Sequence, residues 1–134
     1  MDDRYKVSLI GGDEDEQAVF TLTDEGDGCM LRCEYRGKAI ERMASDYFEA
    51  LIRVRRVLAD EGLIPFCYGA SLNVYPSGMA RNMGQGLQAY KLAISHPAKL
   101  SDLVEVFAEG LDVIPASVAE QEQFFRDWLA SLQL

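Results

Sequence analysis

The residues best suited to chemistry lie in one stretch. Positions 69–86 read Gly-Ala-Ser-Leu-Asn-Val-Tyr-Pro-Ser-Gly-Met-Ala-Arg-Asn-Met-Gly-Gln-Gly. The stretch gathers Asn73, Tyr75, Ser77, Arg81 and Asn82, and Gly84 and Gly86 permit close backbone approach to a ligand or partner. Ser77 suits the N-cap of a short turn running through Met79 to Met83. Free N–H groups of such a turn, beside the Arg81 guanidinium, would suit a carboxylate or phosphate. Gly84-Gln85-Gly86 lacks the spacing of a dinucleotide fingerprint, and no Gly-Lys-Ser/Thr of a phosphate loop is present. The competing expectation is a loop that satisfies its own backbone and packs Met79 and Met83 on a sheet. A stretch of this length with little helix or strand period is long for a connection, and long ordered loops are disproportionately functional.

Other reactive residue types are sparse. His96 is the one histidine; it precedes Pro97, no nucleophile elbow accompanies it, and it reads as an exposed loop residue. Cys29 and Cys33 lie four apart on a strand and so share a face, but they lack further ligands at metal-binding spacing. They read as small buried hydrophobes. Asp13-Glu14-Asp15-Glu16 lacks the pattern of a calcium loop and reads as a solvated hairpin loop. No catalytic residue, metal or cofactor is assigned, and the reading leans away from an enzyme.

The charge is −9 and unevenly spread. Residues 1–28 hold nine acids and two bases, 29–98 six acids and nine bases, and 99–134 seven acids and two bases. Such a balance argues against nucleic acid or an anionic membrane as partner, because both demand a basic face. It suits a basic protein partner, and plain solubility equally well. Apolar residues make up 49% and charged residues 26%, the composition of a globular protein. No apolar run approaches the roughly 20 residues that span a bilayer. The acidic opening Met1-Asp2-Asp3-Arg4 has no signal-peptide core, and three cysteines, an odd number, suit a reducing cytoplasm.

The elements that must position the 69–86 segment are legible from periodicity. A single α+β domain is expected over 1–134, with a mostly antiparallel sheet of five to six strands and two main helices, at about 45–61 and 117–133. Tyr5–Ile10, Ala18–Thr23 and Cys29–Tyr35 alternate at period two and form a meander, the third strand turning Cys29, Leu31, Cys33 and Tyr35 inward. Ser45 is read as the cap of the first helix, with Asp46 in its first turn and Gly62 as its terminator. Tyr47, Leu51, Val54 and Leu58 give that helix an apolar stripe, and Arg53, Arg55 and Arg56 are read as its solvated face. Leu63–Tyr68 reads as a strand kept near an edge by Pro65. Leu87–Leu92 and Leu103–Phe107 are expected to complete the sheet. Ser117-Val118-Ala119-Glu120 is a capping box opening the last helix, with Val118, Phe125, Trp128, Leu129 and Leu132 as its core stripe.

The string Asn73-Val74-Tyr75-Pro76-Ser77-Gly78-Met79-Ala80-Arg81-Asn82-Met83-Gly84-Gln85-Gly86, running on to Ala89-Tyr90, resembles a segment of small uncharacterised bacterial proteins. Some of these belong to polymorphic-toxin and secretion gene neighbourhoods. The resemblance covers this segment and loosely the C-terminal helix, and it transfers no catalytic residue. It implies a bacterial protein that acts as an immunity or accessory factor. The expected function is therefore a non-catalytic protein-binding factor with an acidic interaction surface, its oligomeric state open. The alternative is a small-molecule binder or enzyme, with Arg81 fixing an anionic group and Tyr75, Ser77 or Asn82 orienting it.

Overall fold

The structure, a computed structural model, describes residues 3–133. It is α+β, with a five-stranded and a three-stranded sheet, both antiparallel. The large sheet begins as a meander of β1 (Asp3–Ile10), β2 (Glu16–Glu25), β3 (Gly28–Tyr35) and β4 (Lys38–Ala44). The fourth strand goes beyond the three read from the sequence. Lys38, Glu41 and Arg42 mask its period, yet Ile40 and Ala44 turn inward while its remaining residues are exposed. A charged edge strand of this kind also discourages pairing with other chains.

Strict alternation puts Val7, Leu9, Ala18, Phe20, Leu22, Cys29, Leu31, Cys33 and Tyr35 on one buried face. Across that face runs α1 (Tyr47–Asp60). It leaves β4 at one edge of the sheet and delivers the chain to β5 (Ile64–Pro65), which pairs with β1 at the other edge. The geometry closes: fourteen helical residues span about 21 Å, and the four gaps of a five-stranded sheet span about 19 Å. The expected strand at Leu63–Tyr68 shrinks to these two edge residues, because Pro65 cannot donate to a further ladder bond and a 3-10 turn at Tyr68–Ala70 follows.

Two local readings of α1 are corrected. Its N-cap is Asp46, not Ser45; Asp46 Oδ1 accepts from the Glu49 N–H at 2.8 Å. Arg55 does not belong to a solvated face. It is 3% exposed, whereas Arg53 and Arg56 are indeed exposed. Gly62 ends the helix with φ +74°, a left-handed conformation that favours glycine.

β6 (Val74–Tyr75), β7 (Gln88–Lys91) and β8 (Leu103–Glu105) form the separate small sheet, in the order β6-β7-β8, rather than extending the large one. Phe107, just after β8, stacks on Tyr5 and tilts against Phe20, which ties the small sheet to the large one. Between β6 and β7 lies a short helix, α2 (Gly78–Met83). The last helix, α3 (Val118–Ser131), carries the expected capping box between Ser117 and Glu120. Of its expected stripe, Val118 packs partly buried against the core and Phe125 stacks on Tyr75, but the rest is not core. Gln121 is its one fully buried residue among those described, Trp128 is half-buried, and Leu129 is 44% exposed. The helix lies on the surface, held through its polar anchor and a few aromatic contacts.

Candidate functional site

The 69–86 segment is built from two ends by different means. Its first part, 69–74, has too few ladder partners to satisfy its own carbonyls, and buried side chains from two helices supply the donors. Arg55 Nη1 donates to the Gly69 carbonyl at 3.1 Å and to Gln121 Oε1 at 2.6 Å, and Nη2 donates to the Ala116 carbonyl at 3.0 Å. Gln121 Nε2 lies 2.9–3.0 Å from the carbonyls of Gly69, Ser71 and Val74. Burial pushes the Arg55 guanidinium down to about 10, well below its ordinary value. Sequence alone places Arg55 on a solvated face and gives Gln121 no role, because charged and polar residue types favour exposure. The signal was present: Arg55 stands at i+4 from Leu51 and i−3 from Leu58, and Gln121 at i+3 from Val118 and i−4 from Phe125.

The second part, 74–86, is clamped onto the N-terminus of α1. The Tyr75 ring stacks on Phe125 at 4.1 Å between centroids and meets the edge of Phe48 at 5.2 Å, and Phe125 in turn stacks on Trp128. Burial raises the Tyr75 phenol above its ordinary range, partly opposed by the Arg81 charge. Ser77 caps α2, its Oγ accepting from the Ala80 N–H at 3.0 Å. Arg81 lies over the rings of Phe48 and Tyr75. It also pairs with Asp46 and Glu49, each at 3.7 Å, and Nη2 reaches the Tyr75 hydroxyl at 3.4 Å. The turn after α2 completes the dock. The Gln85 carbonyl accepts from the Tyr47 N–H at 2.8 Å, and Gly86 sits at φ +69° so close to α1 that a Cβ would meet Asp46 Oδ1 at 2.6 Å.

The structure thus gathers Tyr75, Ser77, Arg81, Gly84 and Gly86 around α2. Gly84 donates to the Ala80 carbonyl and terminates the helix. Asn73 stands apart at the start of β6, where its Oδ1 accepts from Ser71 Oγ at 3.2 Å and its carbonyl from the Leu92 N–H. Asn82 is exposed. Met79 and Met83 do not pack on a sheet; they are 71% and 80% exposed. The reason is helical phase. Arg81 faces Phe48 and Tyr75, and residues two positions to either side of it point the opposite way, into solvent.

Acids border this protrusion. Gln85 Nε2 donates at 3.1 Å to Asp24 Oδ1, which also accepts from the Tyr47 hydroxyl at 2.6 Å. Asp24 and Glu25 end β2 and Asp27 lies in the turn to β3, all three acids being exposed. Burial and the bond to Asp24 push the Tyr47 phenol far above its ordinary range, so it stays a donor.

Elsewhere the reactive groups are quiet. Cys29, Cys33 and Cys67 are free and buried, with burial pushing the Cys33 thiol up to about 12 and the Cys67 thiol up to about 11. Among the described residues no three His, Cys, Asp or Glu groups cluster in a metal-binding arrangement. His96 is exposed, as read from the sequence, and its carbonyl accepts from the Trp128 indole at 2.9 Å. No helix among the described residues is long and apolar enough to cross a membrane. The chain matches no protein-family model, and no curated protein matches it.

Proposed function

We propose that this chain is a non-catalytic protein-binding factor that meets a basic partner through α2 and the acidic turn beside it. One observation carries the reading: Met79 and Met83 project into solvent from a helix whose other face is fixed by Arg81. Exposed methionines side by side are costly to leave in water, and their adaptable thioethers recur at binding surfaces. Arg81, Ser77, Gly84 and Gly86 hold the helix in place before any partner arrives, which lowers the ordering cost of association. Asp24, Glu25 and Asp27 supply the charge that a basic partner would meet, and a net charge of −9 steers it in.

The segment's resemblance to bacterial toxin-neighbourhood proteins supports an immunity or accessory role, and three unpaired buried thiols suit a reducing cytoplasm. The small-ligand alternative at Arg81 is less favoured, since its guanidinium is engaged by Asp46, Glu49 and Tyr75.

Methyl-labelled methionine tests the surface directly. In lysate of the native host at low salt, the Met79 and Met83 methyl resonances should shift or broaden, while Met30, on the opposite face of β3 from the core, should stay in place. Unmoved Met79 and Met83 signals would remove the reading.

A further inference from the structure

A second, chemically different feature lies where the C-terminal half of α1, β5 and the N-terminus of α3 meet. A groove of about 540 Å³ opens there, lined mostly by apolar atoms, with Arg55, Arg56, Asp60 and Glu122 as its charged residues. That volume falls within the range of small-molecule sites, which are concave and largely apolar with a few placed polar groups.

Of the groove's two cations Arg56 is exposed, and Arg55 is the buried one held in place by the fold. It is 3% exposed, and no carboxylate of the described residues lies within 4.0 Å of it; its partners are two backbone carbonyls and a neutral amide. A buried cation is ordinarily matched by an anion at contact distance; among the described residues the only carboxylate whose charge bears on Arg55 is that of Glu122, and from beyond ion-pair distance. Nor are its donors used up. Nη1 and Nη2 make three bonds, while Nε–H has no acceptor among the described residues. No fully buried side-chain nitrogen or oxygen among the described residues lacks a partner, so Nε keeps contact with solvent. Ala116, which takes the Nη2 bond, is itself a wall of the groove.

We propose that this groove binds a small monocarboxylate with an unbranched apolar tail, the carboxylate reaching Arg55 and the tail lying along Ala59, Ile64 and Val118. Glu122 and Asp60 also line the groove and repel a dianion more than a monoanion, while the apolar lining leaves a polar tail without partners. The site is separate from α2 and does not depend on the protein-binding reading.

Octanoate is the probe, with octanol as the uncharged control. Calorimetry at neutral pH should show octanoate binding at one site at least about tenfold more tightly than octanol, the difference expected of one charge-assisted contact. The Arg55 Nε–H resonance should shift on octanoate addition. Arg55 also holds the 69–74 backbone, so its replacement risks the fold. Ala119→Trp instead fills the groove from an exposed position on α3 that leaves every Arg55 bond in place. That variant should fold with an unchanged melting temperature and lose octanoate binding. No binding at millimolar octanoate, equal binding of octanol, or undiminished binding to Ala119→Trp would each overturn the proposal.

Discussion

At the scale of single residues, the fold depends on two polar side chains inside it. Gln121 bridges three carbonyls and the Arg55 guanidinium. Gln121→Leu keeps the volume but strands those groups, and should destabilise the protein by about 3 kcal/mol in urea unfolding. Arg81→Ala removes partly exposed ion pairs and two ring contacts, a loss of about 1 kcal/mol. Its clearer mark should be faster amide exchange confined to residues 78–86. The thiols offer a third check. With Cys33 and Cys67 held at about 12 and 11 and all three cysteines buried, an exchange reagent at pH 8 should label none until the protein is unfolded. Cysteine burial was legible in the alternation of the third strand. Arg55 and Gln121 are not legible as buried, because residue type and helical phase point opposite ways at both, and only tertiary contact reveals that their polar ends meet orphaned carbonyls.

Among the elements, strands and helices with uninterrupted periods were legible: β1 to β3, α1 and the capped start of α3. Less legible were elements whose form depends on neighbours. β4 is an edge, so its outward residues are charged and its period is faint. The small sheet could not be told from an extension of the large one, because alternation records a buried face and not which sheet owns it. Glu61, at the end of α1, ties that helix to the β3–β4 turn. The Tyr35 hydroxyl and then Lys38 hydrogen-bond to its carboxylate and hold it below the usual glutamate value, and Arg36 pairs with it as well. Asp112 is held down likewise by Tyr68 and Lys91. A depressed carboxylate stabilises the fold above its unfolded value and loses that contribution as pH falls through its folded one. The melting temperature should therefore be flat near neutrality and decline below about pH 4.5, the ordinary glutamate value. Glu61→Gln should flatten part of that decline.

For the whole molecule, charge and shape act together. Asp24, with Glu25 and Asp27 close to it in sequence, ends up at the turn after the one helix that shows two methionines to solvent, and sequence order gives no hint of that meeting. Composition made the acidic balance plain, and the 69–86 segment drew notice by its length and its glycines. That α2 would be clamped by Arg81 with Met79 and Met83 outward required the positions of Phe48, Tyr75 and Asp46, which only the fold supplies. If a basic partner docks there, its association rate should fall steeply with added salt while dissociation changes little.

The most direct measurement is a paired capture from native host lysate at low salt, using the wild-type chain and a Met79→Asp/Met83→Asp variant of unchanged melting temperature. The account predicts one basic protein retained stoichiometrically by the wild type, released by salt, and absent from the variant. The same proteins on both baits, or a clean blank on both, would contradict it.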